Sequence, residues 1–175
     1  MEGWSPESFI INTITGCSMT QHESGILNQD RLQEIFVLQE RLNDHVFAKN
    51  GLRDTEGAPL KVATIIQAAA EGKRSVNDLP NVWLARYSKA IAAELEELDR
   101  DLLWKWWSKD EIDLQNVRVE LIDLLHFLVS AMMCAGLTSE KVHEIYRQKN
   151  ELNIARQDAD YSQDNKDEND NQSIK

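Results

Sequence analysis

The 175-residue sequence predicts an all-α protein, a bundle of about five helices with an acidic helix hairpin at its centre. Three observations support this prediction. Apolar residues recur at helical spacing in several segments, and glycines or capping residues separate those segments. No run shows the period-two alternation of a half-buried strand. A chain of this length fits one domain with a substantial core.

The helices are expected at residues 28–49, 60–71, 81–104, 113–135 and 139–157. Gly51, Gly72 and Gly136 fit the ends of the first, second and fourth helices, because glycine readily adopts the left-handed conformation of a C-terminal cap. Either Ser108 or Asp113 fits the N-cap of the fourth helix. The sequence therefore marks helix boundaries as well as helix interiors.

The expected domain spans residues 28–161. Residues 1–27 show no sustained period and predict a loose N-terminal arm. Residues 162–175 are polar and acidic, a composition typical of a flexible tail.

The formal net charge of -11 argues against a nucleic-acid-binding protein, which needs a basic surface. Cys17 and Cys134 lie in dissimilar settings and predict free thiols in a reducing compartment. The chain opens without a signal-like segment, and its longest apolar run, Leu121 to Leu137, is interrupted by polar residues. We therefore expect a soluble, cytoplasmic protein that binds neither nucleic acid nor membrane.

Two acidic pairs lie three residues apart inside predicted helices: Glu94 with Glu97, and Glu120 with Asp123. Residues i and i+3 of a helix share one face, about 5–6 Å apart, so each pair presents two carboxylates to one point. The connection between the two helices is short, which predicts an antiparallel hairpin. Such a hairpin brings the four carboxylates to a similar depth.

The second acidic pair lies among apolar residues, which predicts that its helix is buried. An unpaired buried carboxylate is costly or loses its charge, and a bound divalent cation removes that cost. Oxygen ligands without a cysteine or histidine cluster favour Mg²⁺, with Mn²⁺ as a possible substitute. A solvated acidic helix face is the alternative, and it stays open above all for Glu94 and Glu97.

A basic stripe is expected on the last helix, where Lys149, Asn153 and Arg156 fall on one face. Two cations and an amide beside a carboxylate-bound metal suit a polyphosphate, since the cations take up its outer charge. A solvated face with surface ion pairs is the alternative. Tyr161 either donates a hydrogen bond to phosphate or simply packs.

Gln39 and Asn43 form an amide pair at i and i+4 of the first helix, able to meet the donor and acceptor edge of a base. His126 and Phe127 follow the second acidic pair and fit the core better than catalysis, although an aromatic ring there suits stacking on a base. Residues 104–107, WKWW, fit either a pocket wall or, more commonly for aromatic residues, core or a subunit interface.

Five motifs together resemble those of the dimeric all-α dUTP diphosphatases (dUTPases), relatives of the MazG-like nucleotide pyrophosphohydrolases. These motifs are ExxE, NVRxExxD followed by HF, KNxLNxxRQ with a nearby Tyr, LQxxLND, and WKWW. The resemblance extends from about Phe36 to Tyr161, with additional sequence around residues 51–80. Asp160 stands where the family usually has glycine, and no inserted helical region follows the second acidic helix.

The resemblance implies that Mg²⁺ is held by Glu94, Glu97, Glu120 and Asp123. It implies that the phosphates are contacted by Lys149, Arg156 and Tyr161. It implies that uracil is contacted by Gln39 and Asn43, with Asn150 and Asn153 near the nucleotide. It also implies the all-α NTP pyrophosphohydrolase fold and a homodimer.

The sequence therefore predicts Mg²⁺-dependent hydrolysis of dUTP to dUMP and pyrophosphate, which controls the dUTP pool. A carboxylate of the first pair is expected to take the proton of the attacking water, Glu97 in preference to Glu94. Two alternatives stay open. One is the same scaffold acting on dCTP or on a broad set of deoxynucleoside triphosphates, and the other is a non-catalytic helical oligomer.

Overall fold

The computed structural model describes residues 30–158 and residue 174. The chain divides into two units, residues 1–30 and 31–175, and the described part of the second unit contains five helices. These are α1 (Arg31–Lys49), α2 (Val62–Ala70), α3 (Leu79–Asp101), α4 (Leu114–Cys134) and α5 (Ser139–Asp158). The all-α prediction is confirmed, because the described residues contain no strand. The predicted N-terminal arm, Tyr161 and nearly all of the predicted tail lie outside the described residues.

Glycines end three of the helices, as the sequence predicts. Gly51, Gly72 and Gly136 have φ angles of 63°, 74° and 77°, a conformation that glycine adopts without steric cost. The predicted and observed boundaries differ most at the start of α1, which begins at Arg31 rather than at residue 28, and at the end of α3, which stops at Asp101 rather than at residue 104.

The N-cap of α4 is Asp113, one of the two candidates. Its Oδ1 accepts hydrogen bonds from the backbone N–H groups of Gln115 and Asn116, at 3.0 and 3.1 Å. Ser108 instead donates its hydroxyl to Asp110, within the loop. An aspartate at this position also places negative charge at the positive end of the helix.

The most extensive helix packing is between α3 and α4. Side chains meet in reversed order along the two helices: Asn116 donates to Asp101 near the connecting loop, whereas Tyr87 meets Phe127 farther away, with ring centroids 6.4 Å apart. The two helices therefore form the antiparallel hairpin that the short connection predicts.

An aromatic series crosses the core from α1 to α3. The ring centroids of Phe47 and Trp83 are 4.5 Å apart, and those of Trp83 and Tyr87 are 5.7 Å apart. The core is completed by buried aliphatic residues of α2 and α4, among them Ile65 and Val129. The contact between Phe47 and Trp83 joins α1 directly to α3.

The prediction that α4 is buried all round is wrong for one side of the helix. Leu121, Ile122 and Leu128 are 50%, 53% and 44% exposed. The side chains of α4 are apolar nearly all round, but the neighbouring helices cover only part of its circumference. One strip of apolar side chains therefore stays exposed. Glu120 and Asp123 are half-buried.

The last helix, α5, packs against α1. Ser139, at its first turn, is buried and donates its hydroxyl to the side-chain oxygen of Gln33. Among the described residues no single helix is both long and apolar enough to cross a membrane. Such a length and composition are reached only by α4 and α5 taken together, and these are bent by 100° at their junction.

Candidate metal and nucleotide site

A group of three carboxylates lies where α3 and α4 face each other. Glu94 and Glu97 come from α3 and Glu120 from α4, and one carboxylate oxygen of each lies within 4.8 Å of the other two. The i, i+3 spacing puts the first two on one helix face, and the antiparallel packing of α4 brings the third to them. The structure thus joins residues of both acidic pairs at one point.

Asp123, the fourth predicted ligand, is half-buried and lies one turn after Glu120. It is not a member of the three-carboxylate group, but its charge is close enough to act on Glu120. The structure therefore brings three of the four predicted carboxylates together and leaves the fourth beside them.

The local environment raises the pKa of the Glu120 carboxyl. Partial burial is the largest cause, and the negative charges of Glu97, Asp101, Glu94 and Asp123 add to it. Several neighbouring carboxylates are a fitting donor set for a hard divalent cation, which neutralises them without a sulfur or nitrogen ligand. The residues present therefore suit Mg²⁺ or Mn²⁺.

Asp101 is an acidic residue of this region that the sequence reasoning missed. It lies four residues after Glu97 on α3, on the same helix face, and it accepts a hydrogen bond from the side chain of Asn116 on α4. Its position at the last turn of α3 makes it part of the electrostatic environment of Glu120. Extending the ExxE spacing by one further turn is the signal that identifies it.

The amides of Gln39 and Asn43 lie in a buried polar network rather than on an open surface. The two residues are 5% and 8% exposed. Both donate to the hydroxyl oxygen of Ser130 on α4, each at 3.0 Å, and Gln39 Nε2 also donates to Asn43 Oδ1 at 3.0 Å. Ser130 is fully buried, and nothing in the sequence around it distinguished it from a small core residue.

His126 completes this network. Its Nδ1 lies 2.6 Å from Gln39 Oε1, and its backbone carbonyl accepts the hydroxyl of Ser130 at 2.8 Å. The prediction that His126 belongs to the core is wrong, because it is exposed, whereas Phe127 does pack against the core. The reason is that His126 lies toward the groove between α1 and α4, while Phe127 lies toward α3.

A pocket of about 230 Å³ opens between α1 and α4 beside this network. Its wall is aliphatic apart from one amide and one imidazole, and it is formed by Ile35, Leu38, Gln39, Ile122, Leu125, His126 and Val129. An apolar cavity with a few placed polar groups is typical of a small-molecule site. On α4, His126 of the pocket wall lies one turn after Asp123.

The predicted basic stripe lies on α5, which packs against α1 and is not part of the acidic hairpin. Lys149 and Arg156 are half-buried, whereas Asn150 and Asn153 are exposed. Their predicted contacts with a nucleotide stay predictions, as does that of Tyr161.

The tryptophans of residues 104–107 are not core residues. Trp104, Trp106 and Trp107 are 73%, 89% and 60% exposed, in the loop that joins the acidic helices. They contact each other edge to face, with centroids 6.1 and 5.5 Å apart for the two adjoining pairs. The loop leaves the bundle before these residues, and none of the described helices α1–α5 covers them.

Comparison with known proteins decides the family. Residues 31–136 match a family described as dUTPase, and this range is more than half of the chain. The chain belongs to this dUTPase family. The matched range contains all four predicted carboxylates and the network of Gln39, and it ends before α5.

Two curated relatives of this dUTPase-family chain come from bacteriophages. A protein named dCTP pyrophosphatase from Enterobacteria phage LZ5 is 26% identical over 98 residues, which is 56% of this chain and 51% of the relative. A protein of the same name from Enterobacteria phage T4 is 24% identical over 101 residues, 58% of this chain and 53% of the relative. The matched part of the chain thus spans about half the length of these relatives. No solved structure matches the chain.

The raised pKa of Glu120 predicts that the stability of the metal-free protein depends on pH. The folded chain binds this proton more tightly than the unfolded chain, whose glutamate has the ordinary value of 4.5. Stability therefore falls as the pH rises from that value through the raised pKa. We expect Glu120→Gln, which carries no charge, to melt at pH 7 no lower than the wild type when divalent cations are absent.

The same variant separates the destabilising effect of the Glu120 charge from its role in metal binding. We expect Mg²⁺ to raise the melting temperature of the wild type and to leave that of Glu120→Gln unchanged, as followed by thermal unfolding with and without the cation. A variant that melts lower without metal and keeps the full Mg²⁺ shift would contradict a role for Glu120 in the site.

Proposed function

We propose that this protein hydrolyses dUTP to dUMP and pyrophosphate with Mg²⁺, for which Mn²⁺ substitutes. The proposal is carried by one observation, the convergence of Glu94, Glu97 and Glu120 within 4.8 Å in a chain of the dUTPase family. A triphosphate needs its negative charge neutralised before water can attack, and a carboxylate-held divalent cation supplies that neutralisation.

The carboxylates have different exposure, which suits different roles. Glu94 and Glu120 are half-buried and would hold the cation, whereas the Glu97 side chain is 53% exposed and can meet water. Glu97 takes a proton from water as the water oxygen bonds to the α-phosphorus, the bond from that phosphorus to the oxygen bridging it to the β-phosphate breaks, and pyrophosphate leaves. The contact between Glu97 and Arg100, 3.7 Å and exposed, is too weak to hold this carboxylate away from the reaction.

Residues of α5 are proposed to meet the remaining phosphate charge. Lys149 and Arg156 supply the cations, with Tyr161 as a further phosphate contact and with Asn150 and Asn153 near the nucleotide. The spacing of Lys149, Asn153 and Arg156 on one helix face supports this arrangement.

A second candidate substrate is dCTP. Both phage relatives carry the name dCTP pyrophosphatase, and the region they share with this chain includes about half of each. Activity on dCTP or on several deoxynucleoside triphosphates uses the same carboxylates, so the two candidates differ only in the contacts with the base.

The proposed assembly is a homodimer. One row of α1, formed by Ile35, Leu38, Leu42 and Val46, is 37–55% exposed although every member is apolar. A second copy of the chain that covers this row removes apolar surface from water.

Assays of the wild type with a panel of deoxynucleoside triphosphates and Mg²⁺ test the reaction, with pyrophosphate release as the readout. We expect the highest kcat/KM for dUTP. Turnover of dCTP well above dUTP would replace the first candidate with the second, and release of no pyrophosphate from any nucleotide would favour the non-catalytic oligomer.

Glu97→Gln tests the proton transfer, because it removes the acceptor while keeping the shape of the side chain. We expect kcat to fall on the order of 100-fold or more, as for other general-base deletions. The matched control is Asp99→Asn, which removes a carboxylate from the same helix but outside the three-carboxylate group and keeps kcat near the wild-type value. Equal activity of the two variants would rule out Glu97 as the base.

Lys149→Ala and Arg156→Ala test the phosphate contacts. Loss of a charge-assisted hydrogen bond is expected to raise the KM for the nucleotide roughly 10-fold or more. Arg147→Ala is the control, since Arg147 is on the same helix and lies 3.8 Å from Glu151 in an exposed ion pair. An unchanged KM in both test variants would assign the stripe to the solvated alternative.

Leu42→Asp tests the homodimer. We expect the wild type to sediment with twice the 20.1 kDa mass of one chain and the variant with the mass of a single chain. Val76→Asp is the control, because Val76 is apolar and 74% exposed but lies away from the α1 row. A wild type that sediments as a single chain would contradict the dimer.

A further inference from the structure

A basic residue lies beside the carboxylate group, at the end of α3. Arg100 follows Glu97 by one turn, and its Nη2 lies 3.7 Å from Glu97 Oε1. Its Nε donates to the backbone carbonyl of Glu96 at 3.3 Å, which anchors the guanidinium to the last turns of the helix. Because 3.7 Å is longer than a hydrogen bond, the Nη groups of Arg100 keep donors for a ligand.

Arg100 also lines a pocket of about 180 Å³ in the loop that joins the two acidic helices. The polar groups of this pocket include the cations of Arg100 and Lys105 and the hydroxyl of Ser108. The carboxylate in its wall is that of Asp110, which accepts the Ser108 hydroxyl. Arg100 is therefore shared by the pocket and the carboxylate group.

A tight turn shapes the loop around Lys105. The backbone N–H of Ser108 donates to the carbonyl of Lys105 at 2.9 Å, which closes a turn of four residues. The Lys105 ammonium lies 5.6 Å from the centre of the Trp104 ring, and a cation over an aromatic face is attracted to it. The loop thus contributes a second positive charge to the cavity that Arg100 lines.

The proposed reaction needs positive charge where its leaving group forms. When the bond from the α-phosphorus to the bridging oxygen breaks, the electron pair stays on that oxygen, and pyrophosphate leaves with the added negative charge. The chain has a net charge of -11, so its overall field opposes an anion. Cations placed at the developing charge lower the barrier, because they stabilise the transition state more than the bound substrate.

We infer that Arg100 is a catalytic residue that binds the leaving pyrophosphate, and that Lys105 shares this charge in the same pocket. This inference rests on the proposed function and adds to it a phosphate site apart from the cations of α5. An arginine suits the site because its planar fork binds two phosphate oxygens at once. The exposed contact with Glu97 is weak, so Arg100 turns to pyrophosphate at little cost while Glu97 takes the proton of the water.

The order of side chains along α3 fits this role. Glu94, Glu97 and Arg100 follow one another at a spacing of three residues, which places them along one face of the helix toward the loop. A triphosphate whose α-phosphorus lies at the carboxylates and whose chain extends toward the loop therefore brings its outer phosphates to Arg100.

Calorimetric titration of Mg²⁺-pyrophosphate into Arg100→Gln tests the contact without any turnover. The Arg100 side chain is 64% exposed, so we expect the variant to fold like the wild type. Its Kd for pyrophosphate is expected to rise roughly 10-fold or more, because a charge-assisted contact is lost. The Kd for dUMP, which contains no pyrophosphate, is expected to keep its wild-type value.

The matched control is Arg86→Gln. Arg86 is an exposed arginine of the same helix, 14 residues earlier in the sequence and so about 21 Å away along the axis. Its guanidinium lies 4.6 Å from the centre of the Trp83 ring, away from the loop. We expect this variant to bind pyrophosphate and dUMP as the wild type does.

Analogues of dUTP with CH₂, CHF or CF₂ in place of the oxygen between the β- and γ-phosphates test the charge on the leaving group. These replacements change the basicity of the leaving group but not the base or the α-phosphate. We expect kcat of Arg100→Gln to fall more steeply with rising basicity than kcat of the wild type, because the wild-type cation offsets part of the developing charge. Arg100→Lys keeps the charge without the fork, so we expect an intermediate slope.

The outcomes separate this inference from the proposed function. A wild type that releases pyrophosphate from no deoxynucleoside triphosphate overturns the proposed function, and the inference falls with it. An active wild type whose Arg100→Gln variant binds pyrophosphate as tightly as the wild type overturns the role of Arg100 alone. Equal weakening of pyrophosphate and dUMP binding also overturns it, since a disturbed carboxylate group then explains both. If dCTP is the substrate, dCMP replaces dUMP in the same titration.

Discussion

The close approach of carboxylates across the α3–α4 hairpin is the constraint on which the rest of this site depends. Glu94, Glu97 and Glu120 converge although like charges oppose that convergence, and burial together with these charges raises the pKa of Glu120. The hairpin is held by its aromatic core, where Tyr87 meets Phe127, and by the bond between Asn116 and Asp101. Packing elsewhere in the hairpin thus keeps in place a group of charges that a divalent cation stabilises.

One helix, α4, connects this group to the adjoining pocket. Glu120, Asp123 and His126 follow one another at single-turn spacing, and Ser130 follows His126 one turn later. A rotation or shift of α4 would therefore move the carboxylates and the polar network together. The hydrogen bonds of Ser130 with α1 fix that register, because breaking them leaves buried amide groups unsatisfied. The buried network thereby stabilises the geometry of the acidic site as well as that of the pocket.

The sequence predicts what depends on local spacing. Helical periodicity, the glycine at Gly136 and the cap at Asp113 are properties of neighbouring residues, and the structure confirms them. Contacts between distant segments are harder to predict from sequence. Ser130 forms hydrogen bonds with Gln39 and Asn43 of α1, which lie 91 and 87 positions earlier in the chain, and no local pattern indicates this. The uncovered strip of α4 was missed for a similar reason, since its composition shows that it is apolar but not how many neighbours cover it. Helical spacing predicted the acidic pairs, whereas the commitment of the amide of Gln39 to the network became visible only in the structure.

Binding of a divalent cation by the carboxylate group can be measured by Mn²⁺ titration of the metal-free protein, followed by electron paramagnetic resonance. Bound Mn²⁺ loses most of the sharp signal of the free ion, so we expect the protein to suppress this signal saturably and excess Mg²⁺ to restore it. The suppression should be absent in Glu120→Ala with its helical content retained. A free-ion signal that rises in proportion to added Mn²⁺, as it does in buffer alone, would contradict the account.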